Sequence, residues 1–184
     1  MRLSQNDIDL FFKLHPALLQ YVNQRLRIFP KIRTAEELRM SGVEKVNRVR
    51  TKLWKQMELI DNFVSENPFD LSDDELGLIA DWKNALRGKF YIFKHLKKYT
   101  IFLTETEPTK IYGVCSLNTS LDEMFWNLPI YAEAVLLPFR GRIIYDGILY
   151  PYSVTFGPGF RFDLNESYRE AKKQFGIIET LRTG

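Results

Sequence analysis

The sequence is poor in the residues that build reactive or metal-binding centres. It contains one cysteine, Cys115, and two histidines, His15 and His95. A single thiol excludes a disulfide within the chain and fits a reducing compartment. There is no Cys-x-x-Cys motif and no pair of histidines on one helical face, and the acidic cluster at residues 70–75 lacks the glycine and spacing of a calcium loop. The sequence therefore predicts neither a metal ion nor a cofactor.

Long hydrophobic runs, a signal-peptide pattern and a large excess of charge are also missing. The longest uninterrupted apolar stretch is Ala134–Phe139, whereas a helix that spans a bilayer needs about 20 apolar residues. The N-terminal segment contains Asp7 and Asp9, which do not fit a signal peptide. The net charge of +3 is too small to indicate a polyanionic partner by itself. We therefore expect a soluble cytoplasmic protein without a membrane partner.

What the sequence does contain is enough apolar side chain to fill a core. Apolar residues make up 45% of the chain and aromatic residues 14%, which is the composition of a globular protein. A chain of this length forms one domain, or one domain with a sizeable appendage. No low-complexity segment and no flexible Gly/Ser linker interrupts it.

Residues 1–88 show the apolar spacing of amphipathic helices. Pro16 is expected to separate two helices, because proline is favoured at the first position of a helix. One long helix is expected from Thr34 to about Asn67, with an early bend or break at Gly42. Two capping boxes mark helix starts in this part of the chain: Thr34 with Glu37, and Ser72 with Glu75.

From Lys89 onwards the pattern changes to one rich in β-branched and aromatic residues, which is typical of strands. Three strands are expected first: Phe90–Leu96, Tyr99–Thr104 and Ile111–Leu117. A short helix should follow Ser120. Three more strands are then expected to form an antiparallel meander: Ala132–Phe139, Arg142–Tyr145 and Ile148–Phe156.

Two dipeptides are the expected turns of this second meander. Arg140-Gly141 follows a buried strand, and glycine accepts backbone angles that other residues avoid. Asp146-Gly147 lies between two apolar runs and is a strong signal for a type I′ hairpin turn. Gly157-Pro158-Gly159 is expected to end the sheet. A last helix should start at about Leu164, with Asp163 as its N-cap.

The predicted fold class is therefore α+β. Helices up to residue 88 are followed by the order βββ-α-βββ-α. We expect the N-terminal helical region, residues 1–88, to pack on a C-terminal antiparallel β-sheet or partly closed barrel of about six strands, residues 89–184. The two parts are either separate units or one continuous domain.

Parts of the C-terminal region resemble a group of uncharacterised prokaryotic proteins. The resemblance rests on three segments: Gly88–Glu105, Ile111–Leu117 and Ala134–Leu149. It covers mainly residues 71–181. It implies a bacterial or archaeal protein of unknown function and transfers no fold, activity or site residue.

Charge is distributed in blocks along the helical region. Residues 25–55 hold ten basic and three acidic residues, whereas residues 56–82 hold eight acidic and no basic residues. Four basic residues fall opposite the apolar face on a helical wheel: Lys45, Arg48, Lys52 and Lys55. Such a stripe is either a phosphate-tracking surface for nucleic acid or a solvated helix face. The opposite blocks would also allow head-to-tail self-association.

A second basic set lies at two of the predicted turns. It comprises Lys94, His95, Lys97 and Lys98 at one turn, and Arg140 and Arg142 at the other. If both turns lie at one end of the sheet, they form a positive rim. Four aromatic residues could then provide stacking faces for a single strand of nucleic acid: Tyr150, Tyr152, Phe160 and Phe162. The alternative is that the turns are merely solvated and the aromatic residues belong to the core.

A catalytic centre is the least supported class of site. Cys115, His95 and Asp146 could form a nucleophile triad, but no local sequence signature surrounds them. Cys115 lies in a predicted apolar strand, where a buried thiol is commonly inert.

Three functions follow from these patterns. The leading hypothesis is a non-enzymatic interaction or regulatory module that binds another protein or a second copy of itself. The second is nucleic-acid binding through the basic helix face or the basic turns. The third is an enzyme whose polar residues converge only in the folded chain.

Overall fold

The N-terminal part of the chain folds into helices. The computed structural model describes residues 2–181. Its first five helices are α1 (Gln5–Leu26), α2 (Ala35–Met40), α3 (Val43–Leu53), α4 (Glu58–Glu66) and α5 (Asp73–Asp81). A short 3-10 turn at Trp82–Asn84 follows α5. Phe11, Phe63 and Trp82 are among the fully buried side chains that fill the core of these helices.

The predicted break at Pro16 is wrong. Helix α1 runs through this proline for 22 residues. Proline removes one backbone donor and crowds the carbonyl four residues earlier, but Leu14, His15 and residues 17–23 around it are all buried. Burial on several sides of α1 therefore outweighs the local penalty of the proline.

The predicted long helix between Thr34 and Asn67 is divided into α2, α3 and α4. The first break is at Gly42, as anticipated, and its φ of +99° is a conformation that favours glycine. A second break follows the C-cap Trp54, where the amide of Gln56 bonds to the carbonyls of Lys52 and Leu53. The apolar spacing continues across this break, so periodicity alone could not reveal it. The capping boxes at Thr34 and Ser72 are both present.

The change from helix to strand near Gly88 is confirmed, and the C-terminal part is a mostly antiparallel sheet of five strands. The strands are β1 (Leu86–His95), β2 (Thr100–Thr104), β3 (Ile111–Cys115), β4 (Ile130–Phe139) and β5 (Arg142–Pro151). The short helix α6 (Leu121–Met124) connects β3 to β4, and α7 (Pro158–Phe175) follows β5.

The strand pairings form a ring. The order is β1-β2-β3-β5-β4, and β4 also pairs with β1. All neighbours are antiparallel except β3 and β5, which are parallel and share only two residue pairs, Val114–Ile143 and Cys115–Ile144. The inner surface is filled by buried apolar side chains of the five strands: Phe90, Ile92, Phe102, Val114, Ala132, Ala134 and Ile143. The predicted α+β class is therefore confirmed.

The predicted hairpin at Asp146-Gly147 is wrong, which is why there are five strands and not six. Both residues lie within β5, and Asp146 is buried. Opposite them the register with β4 shifts, because Ala134 pairs with Leu149 whereas Leu136 pairs with Tyr145. Gly147 has a φ of +91°, so the Asp-Gly sequence makes a bulge inside one long strand.

The last helix begins earlier than predicted. Gly157 is the N-cap of α7 and Pro158 occupies its first turn, where a missing backbone donor costs nothing. The segment that we expected to end the sheet therefore starts a helix. Gly176 ends α7.

Contacts divide the chain into two units. Gln5–Lys83 form the helical unit, and Asn84 onwards form the barrel unit together with the first four residues. Within residues 2–181, no helix combines the length and apolarity needed to cross a membrane.

Candidate ligand-binding surface of the barrel

The two predicted basic turns point to opposite ends of the barrel, so they do not form the predicted positive rim. Thr100, which follows the β1–β2 turn, pairs with Val114 of β3, and Val114 pairs with Ile143 of β5. Ile143 directly follows Arg142 in the β4–β5 turn. Because β2 is antiparallel to β3 and β5 is parallel to it, β2 and β5 leave their turns in opposite directions. Lys97 and Lys98 are exposed at one end of the barrel, and Arg140 and Arg142 are exposed at the other.

The β1–β2 turn is held by His95. The turn closes with a 2.9 Å bond from the amide of Leu96 to the carbonyl of Tyr99. The imidazole Nε2 donates to the carbonyl of Phe125 at 2.7 Å, and Nδ1 lies 2.9 Å from Oγ1 of Thr100. Nε2 carries the proton in the first bond, because a carbonyl oxygen can only accept. His95 thus fixes Lys97 and Lys98 against the loop after α6.

The β4–β5 turn is a tight two-residue connection. Arg140 has a φ of +48° and Gly141 a φ of +72°, the two positive angles that a type I′ turn requires. The predicted turn at this dipeptide is therefore confirmed. It places Arg140 and Arg142 on either side of the glycine at the tip of the hairpin.

The triad of Cys115, His95 and Asp146 is not assembled. The thiol of Cys115 is buried and bonds to the carbonyl of Lys98 at 4.0 Å, whereas both nitrogens of His95 bond to Thr100 and Phe125. Burial raises the pKa of the Cys115 thiol, which keeps it protonated and unreactive. The carboxylate of Asp146 accepts from the amide of Ile148 inside the β5 bulge. These residues have structural roles.

Helix α7 covers the outer surface of β2 and β3. Leu164, Tyr168 and Ala171 of α7 form one buried apolar cluster with Ile101, Leu103 and Ile111. After the helix, the carbonyl of Ile178 accepts from the amide of Gly113, and the amide of Ile178 donates to the carbonyl of Ile111. A ligand of this barrel therefore cannot use the outer surface of β2 and β3 while α7 is in place.

An aromatic row crosses the outer surface of β1, β4 and the chain beyond β5. The ring centroids of Tyr91 and Tyr131 are 5.0 Å apart, and those of Tyr131 and Tyr152 are 5.1 Å apart. The ammonium of Lys89 lies 5.4 Å from the ring centre of Tyr152. Phe160 packs on Tyr91 at 5.3 Å. Two of the four predicted stacking residues, Tyr152 and Phe160, thus belong to this row.

The remaining two predicted stacking residues lie outside the row. Tyr150 is half-buried opposite Glu133, and Phe162 is exposed on α7. Phe162 packs into no described cluster, and 65% of its side chain is accessible to solvent.

Sequence reasoning missed the most exposed aromatic residue of the barrel, Trp126. It lies in the loop between α6 and β4 and is 85% exposed. Its neighbours in space line a cleft of about 280 Å³: Met124, Phe125, Asn127, Pro129, Ile130, Val154, Thr155, Phe156 and Arg161. A tryptophan in a predicted connecting segment could have indicated this site, because binding residues are found more often on surface loops than on helices and strands.

The basic stripe of the helical unit is exposed as predicted. Lys45, Arg48 and Lys52 project from α3, and Lys55 follows its C-cap. The Nζ atom of Lys45 and the guanidinium of Arg48 lie 5.8 and 5.5 Å from the ring centre of Phe29. These two cations therefore contact an aromatic ring and are also exposed to solvent.

The acidic cluster at residues 70–75 has a capping role. Glu75 accepts from the amide of Ser72 and pairs with Lys13, and this lysine is the first cause that lowers the pKa of Glu75. No group of three or more potential metal ligands occurs among residues 2–181.

A cavity of about 450 Å³ in the helical unit lies along the loop after α1. Asn23 bonds to the backbone of Phe29 and Ile32 at its wall. The polar side chain in the wall of this cavity therefore stabilises the conformation of the loop after α1.

The β1–β2 turn and the exposed tryptophan lie at the same end of the barrel and make it the candidate site. We compared the chain with protein-family models, curated proteins and solved structures. None of them matches it.

Proposed function

We propose that this protein binds single-stranded nucleic acid at the end of the barrel that carries the β1–β2 turn and the loop after α6. The observation that carries the proposal is the bond between His95 and the carbonyl of Phe125, which joins the turn of Lys97 and Lys98 to the loop of the exposed Trp126. Exposed cations beside an exposed aromatic residue are suited to the phosphates and bases of a single strand, and phosphate contacts dominate nucleic-acid affinity.

The topology supports the same proposal. A five-stranded barrel with a helix between β3 and β4 is the plan of the oligonucleotide- and oligosaccharide-binding fold, in which the β1–β2 and β4–β5 loops contact the ligand. Here those loops are the basic turns. The outer surface of β2 and β3, which also binds ligand in that fold, is covered by α7.

The distribution of charge favours the barrel over the helical unit. Residues 1–4 and 84–184 contain fourteen Lys and Arg against ten Asp and Glu, whereas residues 5–83 contain twelve against thirteen. A nucleic-acid surface needs local positive charge more than a high net charge. The activity proposed is binding, since Cys115 and His95 are both engaged in structural bonds.

Reversing the charge of Lys97 and Lys98 should weaken this binding. In the double variant Lys97→Glu/Lys98→Glu we expect at least a ten-fold loss of affinity for a fluorescein-labelled (dT)20 at 50 mM salt. Each phosphate contact on a single strand releases roughly 0.7 counterions, and this release is lost together with the contact. Fluorescence anisotropy at four salt concentrations measures both the affinity and its salt slope. The slope should become shallower by about 1.4.

The matched control changes the same charge elsewhere. Lys45→Glu/Arg48→Glu reverses two cations on α3 and should leave the affinity and the salt slope within two-fold of the unmodified protein. Binding that is lost in this variant and retained in the turn variant would transfer the site to α3. Absence of any binding of (dT)20 at 50 mM salt would refute the proposal.

A protein partner of the helical unit is the second candidate. The observation that favours it is the position of Lys45 and Arg48 over the ring of Phe29, because a cation on an aromatic side chain is a common element of protein interfaces. We expect Lys45→Glu/Arg48→Glu to reduce recovery of a partner in pull-downs or to abolish self-association in light scattering. If recovery and molar mass are unchanged, this face is only solvated.

A further inference from the structure

The loop after α6 connects the β1–β2 turn to the exposed tryptophan. The carbonyl of Phe125, which His95 binds at 2.7 Å, belongs to the residue directly before Trp126. The same hydrogen bond therefore fixes the β1–β2 turn and the start of the Trp126 loop. A strand whose phosphates contact Lys97 and Lys98 reaches Trp126 next.

The cleft beside Trp126 has the size and lining of a site for one flat ring. Its volume is about 280 Å³. Apolar walls come from Met124, Val154 and Phe156, and no described Asp or Glu lines it. Met124 and Val154 are 41% and 51% exposed, so this apolar surface is open to solvent and next to cations.

Arg161 divides this cleft from a second one. Its Nε donates to the carbonyl of Phe156 at 3.1 Å, and one terminal nitrogen donates to the carbonyl of Leu128 at 2.8 Å. These bonds fix the guanidinium in the common wall and use two of its five N–H groups. The second cleft, of about 240 Å³, is also lined by Lys94 and Asn165. The wall thus presents cationic donors beside an apolar cleft.

We propose that the Trp126 cleft binds one unpaired nucleobase, stacked on the indole, while Arg161 and Lys94 contact the adjoining phosphate. A base has two flat faces and no charge, which matches the apolar walls, and its phosphate matches the two cations. A paired base cannot enter, because both of its faces are stacked in a duplex. The cleft therefore makes the protein select single strands. This inference rests on the proposed function and assigns its specificity to one residue.

Tryptophan fluorescence can test the inference directly, because Trp126 is the exposed one of the three tryptophans. Trp54 and Trp82 are 3% and 0% exposed, so quenching by iodide reports on Trp126. Addition of (dT)20 should quench the exposed emission and protect it from iodide. Addition of a blunt 20-base-pair duplex should do neither.

Two variants separate stacking from charge. Trp126→Ala should bind labelled (dT)20 roughly ten- to a hundred-fold more weakly, since stacking of one base on an aromatic side chain has about that effect. Its salt slope should be unchanged. Trp126→Phe keeps a ring and should recover most of the affinity, and circular dichroism verifies that both variants are folded.

The outcomes distinguish this inference from the proposed function. If (dT)20 binds with the expected salt slope but Trp126 stays accessible to iodide and Trp126→Ala binds normally, the base site is refuted and the phosphate site at Lys97 and Lys98 stands. If the duplex protects Trp126 as well as (dT)20 does, the single-strand selectivity is refuted. If no oligonucleotide binds at 50 mM salt, both proposals fail.

Discussion

Replacement of Gly113 by alanine should destabilise the barrel by about 2 kcal/mol, because the new methyl group overpacks a closed surface. A Cβ atom at this position of β3 would lie 2.8 Å from Cγ and 2.9 Å from Cδ2 of Tyr99. The ring has little freedom to retreat: it packs against the cluster under α7, and its hydroxyl donates to Glu179 at 3.1 Å. Urea denaturation followed by circular dichroism measures the change.

A double-mutant cycle identifies the cause of this effect. In a Tyr99→Ala background the clash is absent, so Gly113→Ala should change the free energy of unfolding by less than about 0.5 kcal/mol. Gly77→Ala is the control for glycine substitution, since a Cβ on this helical residue meets nothing within 4 Å. It should stabilise the protein by roughly 0.5–1 kcal/mol. Equal destabilisation by Gly113→Ala in both backgrounds would exclude the tyrosine ring as its cause.

His15 should make the helical unit sensitive to mild acid. The imidazole is buried between Phe11, at a ring distance of 5.1 Å, and Trp82, at 5.8 Å. Burial, and to a smaller extent the positive charge of Arg50, lower its pKa from 6.5 to about 3. Between these two pH values the unfolded chain binds a proton that the folded chain does not. The contribution of the neutral His15 side chain to stability is therefore fully present above pH 6.5 and is lost as the pH falls towards 3.

The expected magnitude at moderate pH is measurable. At pH 5.0 the contribution of His15 should reduce the free energy of unfolding by about 2 kcal/mol relative to pH 7.5. In the variant His15→Leu the side chain cannot bind a proton. The substitution also removes the buried Nε2 atom, which has no hydrogen-bond partner. In parallel urea titrations, the free energy of unfolding of this variant should fall by about 2 kcal/mol less between pH 7.5 and pH 5.0 than that of the unmodified protein. The same pH dependence in both proteins would show that other groups cause the acid sensitivity.

The sequence was sufficient for the fold class because local signals were consistent over long segments. The capping boxes at Thr34 and Ser72 and the apolar alternation after Lys89 each determined an element. The errors arose where tertiary packing overrode a strong local signal. Pro16 is held inside α1 by burial on several sides, and Asp146-Gly147 is held inside β5 by pairing with β4.

The candidate site was only partly predictable, for a geometric reason. The residues of the two basic turns could be named from composition, but their location depends on the pairing of the strands. The turns are at opposite ends, because Leu86 pairs with Leu136 whereas Ile92 pairs with Ile130. Trp126 carried no periodic signal, since it lies in a loop.

The parallel junction between β3 and β5 has a consequence for how the barrel moves. With two residue pairs, it has far fewer hydrogen bonds than the other junctions, so it is where the ring separates most readily when the protein fluctuates.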